Sequence, residues 1–280
     1  MPEVPDGVVA KLARVQENLV TLERELREFR AAHPYRIEVS TNREKTEHYL
    51  RIFGLSEVSA SISLLVGEIL YHLRSSLDHL VYTLVKVNCS RTSDRTGFPV
   101  FTDPAAFWRR GEHGRAARGS GLAKIEGMSE AAQRLIESLQ PYHALESSLD
   151  DSARDRAMRR DELFVLNELA RIDRHRMVSV VRAFIEMNQP VMKRGRDGPV
   201  SGGGTSVVLT EGLQVYHCSY TAPTPPDDVR YPLVVHEVLD GEWAPEFAIS
   251  SEGGIPSAMT RLAGLANRVE TVVQTLAAHL

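Results

Sequence analysis

Residues 67–80, GEILYHLRSSLDHL, carry two histidines, an arginine, an aspartate and a glutamate on a segment otherwise rich in Leu and Ile. At 3.6 residues per turn, Glu68, His72, Ser75 and His79 follow one another at steps of four, three and four, which makes one polar stripe along a helix. Arg74 and Asp78, four apart, form an ion pair on an adjoining face. Burying such groups without partners costs about 1–3 kcal/mol for each orphaned polar atom and more for a charge. The stripe therefore demands a partner, a ligand or solvent. Chemically, an imidazole that titrates near neutrality can move protons. A guanidinium can hold a phosphate and stabilise the charge that develops on it.

Arg74 and His79 enclose four residues. In this the helix resembles the signature of the HEPN family of helical-bundle proteins, many of which are RNases of toxin and phage-defence systems: an Arg, four to six residues, then a His. The resemblance implies metal-free RNA cleavage without a cofactor. His79 would be the general acid or base on the 2′-hydroxyl or leaving oxygen, and Arg74 would hold the scissile phosphate. It also implies a homodimer, because the family builds composite sites at dimer interfaces. The family usually places Asn, Asp or His after the Arg; here the residue is Ser75. On an ideal helix Arg74 and His79 point roughly 140° apart, so aiming both at one atom takes the long reach of Arg or a second subunit. The chain is also similar to bacterial proteins that pair an LRSALDHL-like helix with a DKHR-like segment. Residues 73–80 and Asp173-Arg174-His175-Arg176 carry that likeness, which brings no activity with it.

The same residues support other readings. In a structural one, Arg74 and Asp78 pair, His72 and His79 bond a neighbouring helix, and Arg171, Asp173 and His175 are their partners. In a metal-binding one, Glu68, His72 and His79 share a face and His175 or Asp173 completes the set. The Glu-x-x-His pair common in such bundles is missing, since Glu168 is followed three residues later by Arg171. Arg109, Arg110, Arg115 and Arg118, beside Trp108, are candidates for RNA phosphate contact and base stacking, or form a solvated loop. Residues 114–120 are no Walker loop, because no Lys follows Gly119. There is no Gly-x-Ser-x-Gly elbow, and Cys89 and Cys218 stand in no metal or redox spacing.

The elements that must position these groups read as follows. The heptad seam Val8, Leu12, Val15, Leu19, Leu22, Leu26 and Phe29 predicts a helix over residues 6–32, capped by Asp6. Two short strands, residues 35–40 and 48–53, flank a polar turn. Helices follow over residues 57–87, from Ser129 toward Pro141, over 161–187 and over 257–280, with a charged connector at 146–160. Between the last two helices a Gly-rich loop (193–204) leads to apolar runs at 205–210, 213–219, 229–238 and 243–250, with Asp240-Gly241 as a hairpin signal.

The expected fold is α+β. Residues 1–190 form a helical bundle with an inserted hairpin (35–53), residues 191–255 an antiparallel region, and residues 256–280 a helix that packs back. With 280 residues, 33 Lys and Arg against 37 Asp and Glu, and 42% hydrophobic residues, the chain can build a sizeable core. Its charge of −4 supplies no global pull toward nucleic acid or an anionic membrane, though a local basic site is compatible with it. No run of about 20 apolar residues predicts a membrane span, and the amino terminus does not read as a signal peptide. The expectation is a cytoplasmic protein without membrane partners.

Overall fold

Helix α1 (Asp6–Ala31) starts where the Pro5 carbonyl accepts the amides of Val8 and Val9. Asp6 is thus the first helical residue, not the cap, and its charge complements the positive end of the helix dipole. Along the heptad seam Val8, Val15, Leu19, Leu22 and Leu26 are buried. A hairpin of β1 (Arg36–Thr41) and β2 (Glu47–Phe53) follows. Its turn is held by Asn42, whose Oδ1 accepts the amides of Thr46 and Glu47 at 2.8 and 3.1 Å, an Asx-type arrangement. The long helix α2 (Ala60–Asn88) carries the polar stripe. After it come short helices α3 (Pro104–Phe107) and α4 (Gly121–Lys124), then α5 (Glu130–Ser138), capped by Ser129 as its sequence predicts, and α6 (Glu162–His175), capped by Asp161.

The computed structural model describes residues 3–32, 35–89, 92–144, 150, 153, 157, 160–176, 178, 180–187, 190–192, 198–199, 201–204, 209–231, 233–239 and 257–280. Most of the expected connector at 146–160, the Asp240-Gly241 hairpin and the run at 243–250 lie outside these residues, as do 205–208.

One expected helix is corrected. The helix over residues 161–187 ends at His175, and Val180–Met187 is a strand, β3, paired antiparallel with β8 (Leu233–Leu239). Val180, Val181 and Ile185 are β-branched and favour a pleated backbone, while no Gly or Pro punctuates the change. The long-range pairing decides it. Strand β5 (Ser201–Gly204) likewise occupies the end of the expected Gly-rich loop, pairing with β6 (Gln214–Ser219). The hairpin joins these in one antiparallel sheet of order β1-β2-β6-β5, and β4 (Val191–Met192) pairs with β7 (Val229–Arg230). The last helix is α7 (Ala258–Ala277). Helices and antiparallel strands together make the α+β fold that the periodicities imply.

The chain divides into two compact units. The first comprises Met1–Thr21, Leu65–Met177 and Arg261–Leu280, and buries the apolar faces of α2, α6 and α7. The second comprises Leu22–Leu64 and Val178–Thr260. Its core is built on Leu50, Ile52, Val215, Tyr216 and Cys218 from β2 and β6. Both cysteines are free thiols. Among the described residues no helix is long and apolar enough to cross a membrane.

Candidate functional site

Within the first unit, α2 and α6 present two helical faces to a cavity of about 650 Å³. From α2 come Tyr71, Arg74, Ser75 and Asp78, spaced i, i+3, i+4 and i+7 and therefore on one side of the helix. From α6 come Asn167, Ala170, Asp173 and Arg174. The loop at 94–97 and residues Arg118, Gly119, Ala123 and Lys124 complete the wall. Five cationic side chains, Arg74, Arg95, Arg118, Lys124 and Arg174, face three carboxylates, Asp78, Asp94 and Asp173. The cavity carries a positive excess in a chain whose net charge is negative.

Arg74 and Asp78 meet as their spacing predicts, with Nη2 3.1 Å from Oδ1. The pair is also closed on the backbone of Phe98, a fully buried residue. Arg74 Nη2 donates to the Phe98 carbonyl at 2.6 Å, and the Phe98 amide donates to Asp78 Oδ1 at 2.8 Å. Gly97 permits this approach, because a Cβ there would stand 2.8 Å from Asp78 Oδ1. The other amino nitrogen of Arg74, Nη1, is out of reach of solvent and finds no acceptor among the described residues. Burial works against the charge on Arg74 and lowers its pKa; Asp78 opposes that shift and Arg174 adds to it. Burial also lowers the pKa of Lys124, with Arg74 next in effect and Arg174 adding to it, against Asp78. Each cation is held near others of its own sign, which an anion would relieve.

The segments that the second likeness pairs, residues 73–80 and 173–176, both contribute to this wall. Asp173 lies so close to α2 that a Cβ on Gly67 would stand 2.8 Å from its Oδ1. Arg171 and His175 are exposed and outside the cavity, and Arg171 bonds Glu168 at 2.9 and 3.0 Å. Of the four loop arginines, Arg118 reaches the cavity. Arg109 and Arg110 donate back to the carbonyls of Arg118 and Gly114, at 2.9 and 2.7 Å, and Arg115 is exposed.

His79 is exposed and does not line the cavity. Of the expected stripe, Ser75 turns to the cavity, whereas Glu68, His72 and His79 face the amino-terminal half of α1. Glu68 accepts from Asn18 at 3.0 Å, and a Cβ on Gly7 would stand 3.7 Å from His79 Nδ1. The pKa of His72 is lowered by burial, then by Lys11, against Glu68. Arg74 and His79 are therefore not brought together within one chain. Nor is there a cluster of three or more His, Cys, Asp or Glu side chains able to hold a metal among the described residues. For Glu68, His72 and His79 the reason is helical rise: seven residues separate the histidines by about 10.5 Å, whereas ligands about 2.0–2.2 Å from one ion converge far more tightly.

Sequence reasoning named Arg74, Ser75, Asp78, Asp173 and Arg118 among the wall residues but passed over Lys124, Arg95, Asn167 and Tyr71 as site residues. The first two sit in loop and short-helix segments with no motif around them. Arg174 lies in the segment 173–176 that carries the second likeness, which implies no site role for it. No family model, curated protein or solved structure matches the chain.

Proposed function

We propose that this chain is an RNA-binding module, with the α2–α6 cavity as its phosphate site. The observation that carries the reading is the cation-walled cavity between α2 and α6, where Arg74, Arg95, Arg118, Lys124 and Arg174 outnumber Asp78, Asp94 and Asp173. Phosphate oxygens are the acceptors that such a wall recognises, and arginine binds them through paired donors. The HEPN resemblance points to the same ligand class. It also assigns cleavage to His79, which faces α1, so a cleavage site would need a second copy of the chain to supply one of the two groups. Binding is the function that the geometry of one chain supports.

The test is a titration of purified protein against mixed labelled RNAs with EDTA present, at several salt concentrations. Lys124→Ala and Arg174→Ala should each weaken binding about ten-fold and flatten the salt dependence by about one phosphate contact. His79→Ala should bind as the wild type does. EDTA-resistant cleavage that His79→Ala abolishes would replace this reading by the endoribonuclease one, with a homodimer visible in sedimentation.

A second reading has its own observation. The closed loop of bonds among Arg74, Asp78 and Phe98 is what a structural network looks like, and it supports a non-catalytic interaction protein. On that reading no RNA binds, and the pair serves stability alone.

A further inference from the structure

Tyr71 sets the cavity apart from a plain patch of positive charge. It lies on α2 one turn before Arg74 and belongs to the cavity wall, yet 61% of its surface is exposed. Two neighbours hold the ring. Lys11 Nζ stands over it, 5.3 Å from the centroid, and His72 meets it in a T-shaped contact at 5.3 Å. The Lys11 ammonium adds positive potential at the same end of the cavity. Asn167 on α6 brings to the wall an amide whose Nδ2 donates to Glu168 at 3.5 Å, leaving its carbonyl oxygen and second N–H for a base edge. A held but exposed aromatic ring beside a cationic wall is how single-stranded nucleic acid is gripped, since every base has a π-face and every nucleotide a phosphate. The volume, about 650 Å³, is that of a small-ligand site. Tyr71 and Arg74 are three residues apart, a rise of about 4.5 Å, so the ring and the guanidinium follow one another on the same side of α2.

Resting on the RNA-binding reading, we propose that the cavity holds one unstacked nucleotide, its base laid on Tyr71 and its phosphate on Arg74, Lys124 and Arg174. Bases inside a duplex are covered by their neighbours and cannot reach such a platform, so the site discriminates against paired RNA.

The experiment is fluorescence anisotropy of the full chain with a short labelled oligouridylate, a duplex RNA of the same length, and inorganic tripolyphosphate as an unlabelled competitor. Wild type should prefer the single strand. Tyr71→Ala should weaken oligouridylate binding by about ten-fold or more, whereas Tyr71→Phe, which keeps the ring, should stay within about two-fold of wild type. Tripolyphosphate, which has no base, should bind wild type and Tyr71→Ala alike. Because the ring is mostly exposed, both variants should melt with the wild type, which separates lost contact from lost folding. If Tyr71→Ala keeps full affinity for oligouridylate while Lys124→Ala loses it, the base platform is wrong and the phosphate site stands. If wild type binds neither oligouridylate nor tripolyphosphate, the RNA-binding reading falls and the platform falls with it.

Discussion

Truncating Asp78 to alanine removes an oxygen that serves two donors at once. Oδ1 accepts the Phe98 amide at 2.8 Å and faces Arg74 Nη2 at 3.1 Å. A hydrogen bond to a charged group contributes about 1.5–3 kcal/mol, and breaking a buried ion pair costs about 3–5 kcal/mol. The two do not add in full, because one oxygen makes both contacts. The Asp78 side chain is also 38% exposed, against 18% for Arg74, so water recovers part of the pair's loss. We expect Asp78→Ala to cost about 3 kcal/mol, or about 6–12 °C in melting temperature for a chain of this size. Asp78→Asn keeps a neutral acceptor for the Phe98 amide and loses the charge alone, so it should cost about 1–2 kcal/mol. Denaturant unfolding of both variants, and of Arg74→Met alone and combined with Asp78→Ala, gives the coupling between the two side chains. It should reach about 1–2 kcal/mol. An Asp78→Ala variant within 1 kcal/mol of wild type, or strict additivity with Arg74→Met, would refute the idea that this pair clamps the Phe98 backbone.

Three further substitutions test the packing and the second unit. Gly121→Ala places a Cβ 2.2 Å from Phe107, a fully buried ring, and should cost about 2–3 kcal/mol by thermal unfolding; Gly264→Ala, in α7 with no atom within 4 Å of its Cβ, should instead stabilise by about 0.5–1 kcal/mol. In the second unit His48 is buried, bonded to the Tyr231 hydroxyl and, at 2.7 Å, to the Thr224 carbonyl, and its burial lowers its pKa from 6.5. The unfolded chain then takes up a proton before the folded one does, so this contribution to stability is complete above pH 6.5 and is lost as pH falls toward the depressed folded value. Its slope is at most about 1.4 kcal/mol per pH unit, and unfolding curves of His48→Gln across pH 5–7.5 should be flatter than those of wild type.

The fold is most legible where its signals are local. The heptad seam announces α1, Asn42 announces the β1–β2 turn, and Ser129 announces α5, whose Ala132 amide it caps at 3.3 Å. The end of α6 carries no such mark. Its last turn runs into Arg176, whose extended backbone (φ −156°, ψ 145°) begins the departure, and the following residues keep enough apolar character to read as more helix. What makes them a strand is the partner Leu233–Leu239, about fifty residues away in sequence, and no window of a helical period contains that information. Strand β5 is a sharper case: three of its four residues are glycine, and pairing with β6 alone makes it a strand.

The site follows the same division. Arg74 and Asp78 are legible because an i, i+4 pair is a property of one helix. Which residues of α6 meet them is not, because it depends on a rotation of that helix that its own sequence does not specify. Asp173 and Arg174 share the cavity face with Asn167 and Ala170. Arg171 and His175, four apart, share a different one, although both types look as suited to the chemistry. The same rotation separates Arg74 from His79: about 100° per residue over five residues leaves them roughly 140° apart, a consequence of helix geometry alone. A motif counted along the chain places two side chains on one helix. Whether they act on one atom depends on the surfaces that helix presents, and here one surface borders the cationic cavity while the other meets α1.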